Sequence, residues 1–169
     1  LMLALGGRTV GAVWGCDFSA PMLEIARRKL AGRAQPFALI EADALRLPLP
    51  DASLDLVTIA FGLRNLADYG EGLEEMARVL RPGGMAAILE FSTPPNRAAG
   101  ALYAAYSRWV LPAVGRLVSG SPDAYAYLPE SVRRFPRPEE LAARMESAGF
   151  REVSWRAMTG GIVALHLGL

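Results

Sequence analysis

Apolar residues fall along this chain in two alternating rhythms. Short continuous runs at Ala12 to Cys16, Phe37 to Glu41, Leu54 to Ala60 and Met85 to Phe91 have the length and composition of strands. Between them the apolar positions recur with helical spacing. Ala20 to Ala31 predicts a helix with Met22, Ile25, Ala26 and Leu30 on one stripe. Ser19 suits its N-cap and Pro21 its first turn, while Arg27, Arg28 and Lys29 sit late, where cations complement the helix dipole. Tyr69 to Leu80 places Leu73, Met76, Ala77 and Leu80 at helical spacing and stops at Arg81-Pro82-Gly83-Gly84. Pro138 to Ala148 predicts a further helix, closed by Gly149 in the left-handed conformation with Phe150 behind it. Glu152 to Met158 and Ile162 to Leu167 then flank Gly160-Gly161, a hairpin pattern.

Leu54 to Ala60 is apolar at nearly every position after Asp55, as expected for a parallel strand covered on both faces. Strands alternating with helices, followed by a hairpin, predict an α/β fold: a doubly wound sheet with an antiparallel edge. Ligands of such sheets bind beyond the carboxyl ends of the strands. From Ser92 to Pro136 the pattern loosens, although Leu102, Tyr106, Trp109, Val110, Ala113 and Val114 keep a helical stripe that Pro112 is expected to kink. A doubly wound sheet that binds a nucleotide normally opens with a strand and a glycine-rich turn ahead of the first strand-ending acid. Here only Leu1 to Gly11 precedes that strand, and Gly6-Gly7 follows a helix-like run. The expectation is one domain over residues 1–169, incomplete at its amino end.

Composition narrows the function classes. Hydrophobic residues make up 52% and charged residues 21%, a globular balance. Eighteen basic and seventeen acidic side chains nearly cancel, so no basic field argues for a nucleic-acid partner. A single cysteine, Cys16, excludes a disulfide framework and fits a reducing, cytoplasmic setting. It lies in an apolar strand pattern without a nearby histidine and reads as a small core residue rather than a nucleophile. No basic region precedes an apolar block, so no signal peptide is read. The longest apolar region, Leu102 to Val118, is broken by Arg108, Pro112 and Arg116 and falls short of the roughly 20 residues of a membrane span. A mean hydropathy of +0.22 leaves peripheral membrane contact through residues 102–118 open.

Candidate chemistry gathers at the predicted strand ends. Asp17 can accept hydrogen bonds from both ribose hydroxyls or cap the entry to the Ser19 helix, and a nicotinamide enzyme would use such an acid identically. Asp43 with Ala44 can take an exocyclic amine on the carboxylate and a ring nitrogen on the backbone amide, a pattern that selects adenine; the alternative is a turn aspartate. Met22 either faces adenine or belongs to the core. Arg64 and Asn65 follow a buried strand in Phe61-Gly62-Leu63-Arg64-Asn65, a place where packing requires neither; a salt bridge or helix cap is the competing explanation. His166, the only histidine, is a strand histidine with no second ligand for a metal site, so no metal is expected. Tyr103, Tyr106 and Trp109 make an aromatic face that is either core or a cover for a long apolar substrate.

Several blocks together resemble the ubiquinone/menaquinone biosynthesis C-methyltransferases (the UbiE/MenG family) over essentially the whole chain. They are Asp17-Phe18-Ser19-Ala20-Pro21-Met22-Leu23, Glu41-Ala42-Asp43-Ala44, Phe61-Gly62-Leu63-Arg64-Asn65, Val79-Leu80-Arg81-Pro82-Gly83-Gly84, Leu89-Glu90-Phe91-Ser92, Tyr127-Leu128-Pro129-Glu130-Ser131 and Thr159-Gly160-Gly161-Ile162-Val163-Ala164-Leu165-His166. The Arg-Pro-Gly-Gly turn is shared by many methyltransferases, whereas the Phe-Gly-Leu-Arg-Asn, Tyr-Leu-Pro-Glu-Ser and Gly-Gly-Ile-Val-Ala-Leu-His blocks are far more particular. The resemblance implies a class I methyltransferase fold and S-adenosylmethionine as cofactor, with Asp17 on ribose, Asp43 and Ala44 on adenine, and Ala60 bordering the cofactor. It departs from the family in lacking the first strand and the glycine-rich segment. The implied substrate is a lipid quinol methylated on a ring carbon, with Arg64 stabilising the phenolate, Asn65 orienting the ring, and water or His166 taking the proton. Pairing into a homodimer is open on this reading. Two rival readings stand beside it: a methyltransferase for another small apolar acceptor, and an inactive remnant or binding domain.

Overall fold

A computed structural model of the chain describes residues 11–32, 37–93 and 130–169. The expected helical stripe and aromatic face between 102 and 118 lie outside these residues. Strand β1 (Val13–Asp17) runs parallel to β2 (Phe37–Glu41), joined by helix α1 (Ala20–Leu30). Strand β3 (Leu54–Ala60) leads through a short 3-10 turn (Leu63–Asn65) into helix α2 (Tyr69–Val79) and then into β4 (Leu80–Phe91), parallel to β3. A helical segment at 130–134 and helix α3 (Pro138–Ser147) precede β5 (Ser154–Met158) and β6 (Val163–Gly168). The last strand inserts antiparallel between β4 and β5, giving the order β3-β4-β6-β5.

The alternation, the parallel pairs and the closing hairpin follow the sequence pattern. Two features differ from it. The described strands form a two-stranded and a four-stranded sheet rather than one, because no described strand pairs with the free edges of β1 and β3. Strand β4 also begins earlier than the Arg-Pro-Gly-Gly stop suggests. Leu80 already pairs with Leu54, and Leu56 next pairs with Met85, so residues 81–84 bulge out of the ladder opposite Asp55. Gly83 takes φ +78 there, and Arg81 closes the bulge with an ion pair to Asp55.

Burial is concentrated between the four-stranded sheet and helices α2 and α3. Ala86 and Ile88 of β4 meet Leu73 and Met76 of α2 and Leu141 and Met145 of α3, with Leu63 of the 3-10 turn in the same cluster. Asp68 caps α2 by accepting from the backbone N–H groups of Gly70 and Glu71, which fixes how the chain leaves the end of β3. Helix α3 ends as expected, Gly149 at φ +103 followed by buried Phe150. Helix α1 corrects the predicted stripe: Leu23 and Leu30 are buried, whereas Met22 and Ile25 are exposed. Cys16 is likewise exposed rather than core, as are Trp14 and Phe18, because α1 covers only the other face of β1.

The loop from β2 to β3 is held by one side chain. Arg78 of α2 donates to the carbonyls of Leu47 and Leu49 and pairs with Asp51 and Glu75, while Glu75 accepts from the Leu47 N–H. The carboxylates of Glu75 and Asp51 raise the already high pKa of Arg78, so this clamp stays charged at every ordinary pH.

Candidate functional site

Asp17 ends β1 and lies beside the exit of β2: Asp17 pairs with Glu41, and the Ala42 N–H donates to the Asp17 carbonyl at 3.2 Å. The two acid-bearing strand tips are therefore neighbours. Each carboxylate spends one oxygen on its own turn, Asp17 Oδ1 accepting from Ser19 N–H and Asp43 Oδ1 from Leu45 N–H, both at 2.9 Å. The helix-entry role of Asp17 is thus real, and it leaves Oδ2 of each acid without a hydrogen bond among the described residues. The Ala44 N–H also donates to nothing there. Two acceptors and one donor therefore remain unspent at this edge among the described residues. Met22, at 53% exposed, stands outside the core and is open to contact on the α1 side of this tip. Partial burial, with Asp17 nearby, pushes the Cys16 thiol above its ordinary pKa, and its Sγ donates to the Ala42 carbonyl. That keeps it a protonated, unreactive spectator.

At the end of β3 the backbone turns sharply. Phe61, after Ala60, takes φ +58, an unusual conformation for a bulky residue. The turn aims the Phe61 carbonyl back at Arg64, whose Nη1 donates to it at 2.6 Å. The same Nη1 donates to Glu90 Oε1 at 2.8 Å, and the Arg64 and Glu90 side chains are only 5% and 1% exposed. Glu90 Oε2 also accepts from the Arg64 backbone N–H at 3.3 Å. The guanidinium lies over the Phe91 ring, 5.2 Å from its centroid, and Phe91 in turn packs on Phe61. Arg64 is therefore a buried, charge-compensated group, in the salt bridge that the sequence left as the competing explanation for it. Its Nε has no hydrogen-bond partner among the described residues. Asn65 is exposed, its Nδ2 3.5 Å from the Phe61 carbonyl.

A cavity of about 360 Å³ opens beside Arg64, lined also by Tyr69, Phe135 and, from the helical segment, Glu130, Ser131 and Arg134. Two blocks far apart in sequence, 61–65 and 130–131, thus meet on one hollow. A larger cavity of about 420 Å³ lies at the opposite end of β2, between Leu30, Ala31, Phe37 and Leu39, with Arg27 its single charged lining residue. Neither cavity is lined by Asp17 or Asp43. The acid tips and the Arg64 turn are connected instead through Gly72 of α2, where an added Cβ would meet Leu66 Cδ1 at 2.5 Å and Leu45 Cδ2 at 3.6 Å. Leu45 follows Asp43 by two positions and Leu66 follows Asn65, so the two loops adjoin over this glycine.

His166 does not join that cluster. It pairs with Ile88, two positions before Glu90 on β4, and its ring is buried in the layer under α3. Its Nε2 lies 3.0 Å from the Pro138 carbonyl, which can only accept, so Nε2 carries the proton. This is the strand histidine that the sequence pattern favoured over a proton acceptor: it ties the last strand to the start of α3 and does not line the cavity beside Arg64. Burial lowers its pKa, outweighing the Pro138 carbonyl and nearby Glu139. The sign follows: the unfolded chain takes up a proton below about pH 6.5 and the folded chain resists. Stability held above that pH is therefore lost as pH falls through the folded value. The urea midpoint is expected to drop more between pH 7.5 and pH 5.5 in the native chain than in His166→Gln; equal drops would remove His166 from the account.

Glu90 was missed by sequence reasoning as a site residue. The available signal was an acid at an otherwise apolar position of a covered strand, which costs heavily unless paired. Ser92, just past the end of the same strand, is buried with a hydroxyl that has no partner among the described residues, and carries the same signature. No cluster of metal-ligating side chains occurs among the described residues.

Residues 2–169 match the model of the ubiE/COQ5 methyltransferase family. A demethylmenaquinone methyltransferase of Thermus thermophilus is 52% identical over 169 residues, which are 99% of this chain and 76% of that protein. One from a Mycobacterium species is 53% identical over 150 residues, 89% of this chain and 63% of the relative. This chain thus spans between 63% and 76% of the length of these relatives. Among solved structures, a SAM-dependent methyltransferase from Aquifex aeolicus superposes with a TM-score of 0.68, covering 99% of this chain and 74% of that one at 21% identity, a likeness of fold.

Proposed function

Because the chain belongs to the ubiE/COQ5 methyltransferase family, we propose that it moves a methyl group from S-adenosylmethionine to a ring carbon of a demethylated quinol, as in menaquinone or ubiquinone biosynthesis. The reading is supported above all by the unspent polar atoms at the carboxyl edge: Oδ2 of Asp17 and Asp43, the Ala44 N–H, and Arg64 Nε. Asp17 would hold the ribose hydroxyls, Asp43 and Ala44 the adenine edge, with Ala60 and Met22 bordering the cofactor. S-adenosylmethionine, when bound, supplies an electrophilic methyl group.

The chain's own residues prepare the acceptor. A hydroquinone carbon becomes nucleophilic when a neighbouring hydroxyl gives up its proton and pushes charge into the ring. Arg64 stabilises that oxygen as charge develops on it. Tyr69 and Phe135, edge to face at 5.7 Å, supply an apolar wall for a flat ring, and exposed Asn65 stands ready to orient it. Water takes the hydroxyl proton in this account, and the carbon that gains the methyl group gives up its hydrogen to solvent as the ring regains aromaticity and the oxygen is reprotonated. Alignment of the two reactants can supply up to about 7–11 kcal/mol of the barrier. Peripheral contact with a membrane, through residues 102–118, is the expected route for a lipid-tailed acceptor. Among the described residues no helix is long and apolar enough to cross a membrane.

Transfer of labelled methyl from S-adenosylmethionine to a reduced, demethylated naphthoquinol by the full chain tests the proposal. The label should appear as a ring C-methyl in the quinol. Labelling of other small apolar phenols but not of the quinol would favour the wider-acceptor reading, and no labelling at all would sink both. Calorimetric titration with S-adenosylhomocysteine should show binding, weakened roughly 10- to 100-fold by Asp17→Asn, since hydrogen bonds to a charged group contribute about 1.5–3 kcal/mol.

A further inference from the structure

We propose that Glu90 is a positioning residue for this reaction: it locks Arg64 so that one edge of the guanidinium faces the acceptor as a fixed pair of donors. The inference rests on the quinol reading above. A guanidinium offers five N–H donors in a planar fork, and two of them, on Nε and Nη2, lie side by side along one edge. In Arg64 the opposite corner is spent. Nη1 donates to both the Phe61 carbonyl and Glu90 Oε1, at 2.6 and 2.8 Å. One face of the group is occupied by Phe91. The Nε/Nη2 edge makes no hydrogen bond with any described residue, although Nε is buried, and Arg64 lines the cavity of about 360 Å³. A buried donor left without a partner inside a folded protein costs free energy, and bound ligand is one way that cost is met.

Glu90 fixes this arrangement at both ends of the residue. Oε1 holds the side-chain tip, while Oε2 accepts from the Arg64 backbone N–H at 3.3 Å. Glu90 is itself anchored, its Oε1 accepting from the Phe91 N–H at 2.8 Å. The Phe61 carbonyl reaches Arg64 only because Phe61 accepts a left-handed backbone, so strain in the turn is matched by contacts that Glu90 completes. The resulting pair is neutral overall. It recognises an acceptor oxygen by direction and hydrogen bonding rather than by net charge. A phenolate oxygen, with several lone pairs, fits such a two-donor edge.

Glu90→Gln keeps the size of the side chain and removes its charge. The expected result is a fall in kcat of about 100-fold, the size of loss that a small misplacement near the reacting atoms produces, with KM for the quinol and affinity for S-adenosylhomocysteine little changed. Arg64→Lys, which keeps the charge but loses the fork, should fall by a similar factor, and the double variant should fall no further. Independent additive losses, or an unchanged kcat in Glu90→Gln, would overturn the proposal. A readout free of turnover separates it from the quinol reading. In nitrogen-15 spectra of the full chain, the Arg64 Nε–H should give a resolved, slowly exchanging signal that broadens in Glu90→Gln and shifts when reduced naphthoquinol is added to the native chain. An Arg64 signal identical in both proteins removes Glu90's role even if the native chain methylates quinol. A signal lost in Glu90→Gln, with no quinol methylation by the native chain, keeps the lock and rejects the substrate.

Discussion

Arg64→Ala is expected to lower turnover by about 10²- to 10³-fold, the usual loss when one donor to a developing oxyanion is removed. The same change is expected to destabilise the fold by about 3–5 kcal/mol, because it strands Glu90 as a buried charge at 1% exposure with no cation beside it. Set against a total stability of roughly 5–15 kcal/mol, that is a large fraction. The two effects can be separated. Replacing Arg64 and Glu90 together by Met and Leu removes both charges and fills the space, so urea denaturation should return most of the stability while turnover stays low. Full turnover in the double variant would contradict the proposed role of the guanidinium. Stability unchanged in Arg64→Ala would contradict the buried pair.

Leu73→Ala should cost about 2–5 kcal/mol, through lost burial and the cavity left behind. Leu73 is wholly buried on α2, in the cluster that contains Leu63, Ile88, Leu141 and Met145. Leu63 belongs to the 3-10 turn that carries Arg64, so the hole would open directly beneath the acceptor turn. A lowered denaturation midpoint with an unchanged slope is the expected signature. Met22→Ala serves as the comparison: at 53% exposed, its truncation should stay within about 0.5 kcal/mol. A similar loss from both truncations would mean that the core does not lie where α2 and α3 meet the sheet.

Much of the architecture was legible because periodicity reports burial directly. The run from Leu54 to Ala60 became a parallel strand but not the fully covered one expected, since none of its residues is wholly buried and Leu56 is exposed. The helical spacing of Leu73 and Met76 became a buried face, and Gly149 became a left-handed helix end. The stripe on α1 misled because apolar spacing indicates a side that can be buried, and only a neighbouring layer buries it. Leu23 found such a layer, whereas Met22 and Ile25 did not. Cys16 was misread for the same reason, an apolar strand being covered on one face alone among the described residues.

The site divides along the same line. Local chemistry, the acids at strand tips and the Arg-Asn pair after an apolar strand, is written in adjacent residues, and the blocks that carry the family resemblance could be read from the chain alone. What Arg64 does there could not, because its partner Glu90 is 26 residues away and reaches it only through the pairing of β3 with β4. Likewise His166, a candidate base by residue type, became a strut once β6 took its place beside β4 under α3. A sequence fixes which groups exist and which local turns they prefer; long-range pairing decides which charges are compensated, which donors stay free, and hence which of them can meet a substrate.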